Sequence, residues 1–342
     1  MMGSMTLDIE DKKQLVTYLQ SRQSVPADEI ITTQLLAGGV SNRTMLVTRR
    51  DGTEWVIKQA LSKLRVQVDW FSDPIRIHRE AAGLRWLENT LPTENVPTLV
   101  FDDEENHIIG MTAVPQPHEN WKTSLLQGIV ETSLVRQFAE ILAQIHRSPL
   151  DDASQLKSLF SDRTFFESLR VEPYYVYSAT QVPQASQFLN ALIEKTRRRQ
   201  FAVVHGDYSP KNVLVYENKL VILDYEVIHL GDPAFDLGFS LTHLLSKAHH
   251  VKMQRQAFLE AARFYWQTYL DTRGAMEDKE FEPLAVDHTL ACLLARVVGR
   301  SPLEYLDSEE RDRQKEIVLY LIDKRPRSVP QLIEQFGEQL VI

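Results

Sequence analysis

The feature that most constrains this chain is a stretch of strand, turn and strand between positions 203 and 224. It reads Val203-Val204-His205-Gly206-Asp207-Tyr208-Ser209-Pro210-Lys211-Asn212-Val213-Leu214-Val215, and later Leu220-Val221-Ile222-Leu223-Asp224. The β-branched runs predict strands, and the polar interval predicts a turn with Asp207 at its start. Asn212 opens one arm of a hairpin and Asp224 ends the other. With Glu217-Asn218-Lys219 as a three-residue loop, Tyr216 pairs with Leu220 and Asn212 stands opposite Asp224. Directly opposed residues share a face, with Cβ atoms roughly 4.5–5.5 Å apart. A slip of one residue would turn them to opposite faces. An amide oxygen and a carboxylate so placed make a seat for a hard divalent cation. Asp207 lies near enough to take a proton from a hydroxyl. Positioning, charge neutralisation and one carboxylate are what phosphoryl transfer asks of a protein. Singly, each residue reads as a turn residue or strand-end cap; together, at this register, they point to chemistry.

The first third of the chain supplies partners for a nucleotide. Thr33 to Ala37, Thr44 to Thr48 and Glu54 to Gln59 are β-prone, separated by Gly38-Gly39 and Asp51-Gly52. Asp73-Pro74 predicts a helix start, cap followed by Pro at the first helical position. Ile77, Ala81, Leu84 and Leu87 form that helix's apolar stripe, and Glu80 lies inside it. A carboxylate on a buried face needs a partner. Lys58, in the otherwise apolar strand Trp55-Val56-Ile57-Lys58, is the expected one, its ammonium held towards the α- and β-phosphates of ATP. The turn Ala37-Gly38-Gly39-Val40-Ser41-Asn42 offers backbone N–H groups to phosphate, although paired glycines also mark ordinary hairpins. Val96 to Phe101 and His107 to Val114 complete a small sheet.

Val114-Pro115-Gln116-Pro117 breaks the strand pattern. The expected division is an N-terminal extension and helix over 1–29, a nucleotide-binding lobe over 30–114, and a helical lobe over 115–342 carrying the hairpin 201–226. Leu134, Phe138, Ile141, Leu142 and Ile145 predict one long helix. Further helices are expected over 251–270 and 286–298, and an irregular segment over 171–187. The fold class is therefore α+β and bilobal: a small antiparallel-sheet lobe and a larger, mainly helical one.

With 342 residues, 43% of them hydrophobic, the chain can bury a sizeable core. A net charge of -9 argues against nucleic acid and against anionic membrane surfaces as partners. Cys292 is the only cysteine, which excludes an internal disulfide and a thiolate zinc site. No apolar run approaches the ~20 residues of a membrane span, and residues 1–10 lack the blocks of a secretory signal. A soluble, cytoplasmic protein is expected.

Taken together, His205-Gly206-Asp207, Asn212, Leu223-Asp224-Tyr225-Glu226 and Gly231-Asp232-Pro233-Ala234-Phe235-Asp236-Leu237-Gly238 resemble the aminoglycoside phosphotransferase family. That family includes choline, methylthioribose and fructosamine kinase relatives. The resemblance runs from about residue 30 to about residue 300 and takes in the glycine turn, Lys58 and Glu80. It implies a protein-kinase-like fold and an ATP- and Mg²⁺-dependent kinase acting on a hydroxyl of a sugar, amino sugar or amino alcohol. Residue by residue, it implies that Asp207 is the catalytic base and that Asn212 and Asp224 are metal ligands. Lys58 contacts phosphates, Glu80 orients Lys58, and Gly38, Gly39, Ser41 and Asn42 cover the nucleotide. Met111 to Val114 forms the hinge against adenine. Asp224-Tyr225-Glu226 is similar to the Asp-x-Glu arrangement of methylthioribose kinase-like members, which makes Glu226 an auxiliary metal ligand. The chain departs from many members at Ser209 and Lys211, where they carry histidine and glycine, and this leaves the acceptor open.

Other signals read more plainly. Arg197-Arg198-Arg199 reads as a helix end, His249-His250 as a solvated helix end, and His205 as a brace for the loop. Asp232 and Asp236 read as structural. Arg296 suits an anionic or polyhydroxylated acceptor if it faces the cleft, and otherwise makes an ordinary ion pair. Tyr174, Tyr175 and Tyr177 either line the acceptor pocket or pack a loop. An inactive nucleotide-binding scaffold is the alternative function; the intact Asp207, Asn212, Asp224 and Lys58 set argues against it.

Overall fold

The computed structural model describes residues 7–36, 40–65, 69–147, 153–274 and 278–341. Strands β1 (Thr32–Leu35), β2 (Asn42–Thr48), β3 (Glu54–Ala60), β4 (Leu99–Asp103) and β5 (Ile108–Thr112) form an antiparallel sheet in the order β1-β2-β3-β5-β4. Strand alternation turns Trp55 and Ile57 to one face, where Leu15, Tyr18 and Leu19 of helix α1 (Lys12–Ser21) cover them. Lys58 therefore falls on the opposite face, the one covered by helix α2 (Arg76–Leu87).

Helix α2 buries Ile77, Ala81, Leu84 and Leu87 and carries Glu80 down with them. Its regular part begins at Arg76, two residues later than the Asp73-Pro74 signal predicts. The Asp73 carboxylate instead caps a preceding turn, accepting from the N–H of Ile75 at 3.0 Å. A Cβ on Gly83 would lie 3.0 Å from Tyr225 Cβ, so α2 rests directly on the segment that follows Asp224.

Beyond the sheet the chain is mostly helical. Strand β6 (Glu119–Asn120) leads into α3 (Trp121–Leu126), α4 (Thr132–Arg147), α5 (Ala153–Phe160) and α6 (Thr164–Phe166). Leu134, Phe138, Ile141, Leu142 and Ile145 are all buried, as their spacing predicts. Residues Glu167–Val176 then form a wide, π-helical segment, followed by α7 (Tyr177–Gln181) and α8 (Ser186–Arg198). The expected irregular stretch over 171–187 is thus helical. Leu169, Val171, Tyr174 and Tyr175 bury a common face there, and the Pro173 ring, which has no N–H, sits within the wide turns.

The stretch from 201 to 226 is not one self-contained hairpin. Strand β7 (Ala202–Val204) delivers the turn that carries Asp207, while β8 (Val213–Tyr216) and β9 (Lys219–Ile222) pair with each other and β8 also with β6. Strand β7 pairs instead with β10 (His229–Gly231). Helix α9 (Pro233–His250) follows, capped by Asp232 and opened by Pro233. Almost every residue of α9 is buried, so it lacks the one-sided stripe by which a helix shows itself in sequence. Helices α10 (Arg255–Arg273), α11 (Phe281–Val298), α12 (Ser308–Lys324) and α13 (Val329–Gln339) complete the fold. Helix α10 starts later than expected and α11 earlier, at Phe281. His249 and His250 do end a helix and both contact Glu310, His249 buried and His250 partly open to solvent. Arg197, Arg198 and Arg199 pair with Glu167, Glu194 and Asp232. Among the described residues, no helix is long and apolar enough to cross a membrane.

Gly206 sets the path of the turn before Asp207. It sits at φ +80, and a Cβ there would lie 2.9 Å from both Cγ2 and the carbonyl oxygen of Val227. Gly206→Ala is expected to cost about 1–3 kcal/mol of stability from the backbone conformation alone, with the clash added. Urea denaturation of the variant measures it, and an unchanged midpoint would show that the turn relaxes freely.

Candidate active site

The β8–β9 register differs from the sequence expectation by one residue. Tyr216 pairs with Lys219, Val215 with Leu220 and Val213 with Ile222. Glu217 and Asn218 both take positive φ, +48 and +60, making the two-residue turn that matches strand twist. The position facing Asn212 is consequently Leu223, whose N–H donates to the Asn212 carbonyl at 2.9 Å. Direct opposition of Asn212 and Asp224 is therefore wrong. Asp224 nevertheless does not follow strand alternation, because its backbone turns left-handed at φ +72. Its carboxylate Oδ1 stands 3.8 Å from Lys58 Nζ.

A buried aspartate holds the turn before Asp207. Asp236 accepts from the N–H of His205 at 2.7 Å and of Gly206 at 2.8 Å, and His146 Nε2 lies 3.1 Å from it. His205 Nδ1 accepts from the N–H of Asp207 at 3.2 Å, so the histidine braces the loop. The Asn212 amide donates to both the carbonyl and Oδ2 of Asp207, at 3.0 and 2.8 Å. Two cations meet that same oxygen: Arg170 at 2.9 Å and Lys211 at 3.1 Å. Arg170 also donates through Nε to the Gly206 carbonyl at 2.7 Å. Sequence reasoning missed Arg170, which reaches Asp207 from the π-helical segment. The available signal was an arginine between the buried Leu169 and Val171, a cation that must find a partner.

On the sheet side, Lys58 Nζ lies 2.6 Å from Glu80 Oε1, the pairing expected from the α2 stripe. Arg76, fully buried, lies 3.1 Å from Glu226 and donates to the carbonyls of Leu61, Ser72 and Ser41. Glu226 is thus held by a guanidinium beside the site. Ser41 and Asn42 are buried next to this network, the Asn42 amide donating to Ser41 Oγ at 3.2 Å. Gly38 and Gly39 lie outside the described residues. Met111 pairs with Val56 in the sheet; Val114 follows β5, its carbonyl 3.0 Å from His118 Nδ1.

The donor set can be tested for Mg²⁺. Among the described residues no three His, Cys, Asp or Glu side chains gather to hold a metal by themselves. Mg²⁺ needs no such cage, since it uses one or two protein oxygens plus phosphate and water. Among the described residues Asp224 Oδ1 has no hydrogen-bond partner, an oxygen left for such an ion. The residues fit.

Comparison with known proteins then decides the family. Residues 32–277 match the family model described as "Phosphotransferase enzyme family". The chain belongs to this phosphotransferase family. A methylthioribose kinase of Pectobacterium carotovorum is 22% identical, over 88% of this chain and 82% of that protein. A choline kinase from Cryptosporidium parvum Iowa II has a TM-score of 0.56 at 12% identity, covering 95% of this chain and 100% of that one. The streptomycin–ATP ternary complex of APH(2″)-IIa has a TM-score of 0.51 at 15% identity, covering 90% of this chain and 95% of that one. The phosphotransferase thus has the protein-kinase-like fold, with a small antiparallel sheet and a larger helical part. Its reaction class is ATP-dependent phosphoryl transfer to a small-molecule alcohol.

In this phosphotransferase the charges of the site are mutually dependent. Burial alone would pull the Lys58 ammonium down, but Glu80 and Asp224 outweigh it and keep the lysine charged. Burial pushes the Glu80 carboxyl up, against the pull of Lys58. Burial also works against the Asp207 carboxylate, yet Arg170, Lys211 and Asn212 hold its pKa down to about 2, from 3.8. A depressed carboxyl contributes stability that is complete above pH 3.8 and is lost as pH falls through about 2. The stability advantage of wild type over Asp207→Asn is expected to shrink as pH falls across that window. Urea midpoints of both proteins at matched pH test it; a gap independent of pH would show that the cations do not act on an ionised Asp207.

Proposed function

We propose that the chain transfers the γ-phosphate of ATP to a hydroxyl of a sugar-like or amino-alcohol-like small molecule, with Asp207 as the residue that handles the hydroxyl proton. Lys58, kept in place by Glu80, would meet the nucleotide phosphates, beneath the turn carrying Ser41 and Asn42. Asn212 and Asp224 would hold Mg²⁺, which supplies charge neutralisation on the phosphates when bound. Met111 to Val114, at the end of β5 and just past it, would form the hinge against which the adenine rests. The cytoplasm, where ATP is abundant, is the proposed compartment.

The acceptor oxygen forms a bond to the γ-phosphorus, the bond from phosphorus to the β,γ-bridging oxygen breaks, and ADP leaves. The hydroxyl proton passes to Asp207. A carboxylate held near pKa 2 is a weak base towards a free alcohol. Its first task is therefore to orient the hydroxyl, and it takes the proton late, once bonding to phosphorus has made that oxygen acidic. Asn212 and Arg170 fix the carboxylate for this task through a shared oxygen.

The observation that carries the reading is the meeting of Lys58, from the sheet, with both Glu80 and Asp224, beside the Asp207–Asn212 pair. Asp207→Asn is expected to lower kcat by about 10²- to 10⁴-fold while Mg-ATP still raises the melting temperature. Lys58→Met is expected to raise the KM for ATP. An ADP-release assay across hydroxyl acceptors measures both. If wild type binds Mg-ATP yet turns over no acceptor, the inactive scaffold replaces this reading.

A further inference from the structure

The helical part next to Asp207 holds more positive charge than its carboxylates balance. Arg170, bonded to Asp207, lies 5.9 Å from the Tyr174 ring centre. Arg296 lies 5.6 Å from the same ring and donates to the Tyr174 hydroxyl at 2.9 Å. Phe239 packs against Tyr174 and, at 5.3 Å, against His243. One helical turn on, Lys247 donates to the His243 carbonyl at 3.3 Å and sits 5.3 Å from the Tyr305 ring. A continuous line of contacts therefore runs from the catalytic carboxylate to Arg296 and Lys247.

Neither of these two cations pairs with a carboxylate among the described residues, although Arg296 is 6% exposed and Lys247 fully buried. The ordinary ion pair expected for Arg296 is not what the fold provides. The neighbouring carboxylates are committed elsewhere, Glu304 to Lys122 and Asp207 to Arg170 and Lys211. Among the described residues, Arg296 Nε, His243 Nε2, Ser246 Oγ and Tyr305 Oη are buried here without a hydrogen-bond partner. Buried cations without counter-charge are costly, as are unmet polar atoms. A ligand that brings negative oxygens removes both costs.

Resting on the phosphoryl-transfer reading above, we propose that the acceptor carries an oxyanion, a carboxylate or a phosphate, in addition to its hydroxyl. Arg296 and Lys247, with the orphaned His243 and Tyr305 groups, form the subsite that receives it. The electrostatics agree. Burial lowers the Lys247 ammonium to about 7, helped by Lys122 and Arg296, and an arriving anion would restore its full charge. Burial and the cations Lys247, Arg296, Lys211 and Lys122 keep His243 neutral. This narrows the acceptors of the phosphoryl-transfer reading, since one whose other end is an ammonium, as in a simple amino alcohol, would meet repulsion in the same place.

The test compares four acceptor groups at fixed Mg-ATP: neutral sugars, ammonium-bearing amino sugars and choline, sugar acids, and sugar phosphates. Turnover is expected in the last two groups, and which one wins separates carboxylate from phosphate. Arg296→Met is expected to raise the acceptor KM roughly 10- to 100-fold, the worth of a charge-assisted hydrogen bond, while the KM for ATP stays unchanged. Arg296→Lys should recover part of the loss. Sulfate, compared with chloride at equal ionic strength, should raise the melting temperature of wild type more than that of Lys247→Met. A retained Mg-ATP shift in each variant shows that it is folded. Preferential turnover of neutral or ammonium acceptors, indifferent to Arg296→Met, overturns the inference and leaves the kinase reading intact. Loss of all turnover with the sulfate shift retained removes the kinase reading and keeps the anion subsite. Absence of the sulfate shift together with absence of turnover removes both.

Discussion

The fully buried guanidinium of Arg76 is the contact on which the geometry of the site depends. It stands at the start of α2, donates to the four carbonyls of Ser41, Leu61, Ser72 and Asp73, and pairs with Glu226 just past the β8–β9 hairpin. A buried cation satisfied on all sides resists displacement, because breaking any one contact strands a charge away from water. Through it, the sheet that carries Lys58, the helix that carries Glu80 and the segment that carries Asp224 share one frame. The close packing of Gly83 on Tyr225 tightens the same joint.

A second buried charge organises the other half. Asp236 sits at the start of α9, where backbone N–H groups point outward, yet it reaches to the N–H groups of His205 and Gly206. The long buried helix thereby holds the turn that presents Asp207. Asp207 is then dressed by Arg170, Lys211 and Asn212 on a single oxygen. A carboxylate so constrained has one orientation and a low pKa, qualities suited to aiming a hydroxyl more than to strong basicity.

The fold is shared with phosphotransferases at very low identity. The larger part of the chain is helical. Here that part carries an unbalanced set of cations around Tyr174 and His243, and its π-helical segment contributes both Arg170 and Tyr174. Wide helical turns recur where a side chain must be brought out of ordinary register.

The sequence alone determined the chemistry-bearing residues whose neighbours are local: Asp207 and Asn212 in one turn, and Glu80 on the apolar stripe of α2. It also determined the pairing of Lys58 with Glu80, since a buried carboxylate and a lysine in an apolar strand leave few alternatives. It did not determine the β8–β9 register, because whether Glu217-Asn218-Lys219 makes a loop of two or three depends on backbone angles that no side chain there dictates. Helix α9 was hidden for a different reason: buried on every side, it has no periodic face. Only the tertiary structure brought Arg170 to Asp207 and left Arg296 and Lys247 without carboxylate partners among the described residues. Those facts depend on contacts between segments far apart in the chain, and a charge's partner across such a distance is decided by packing, not by spacing.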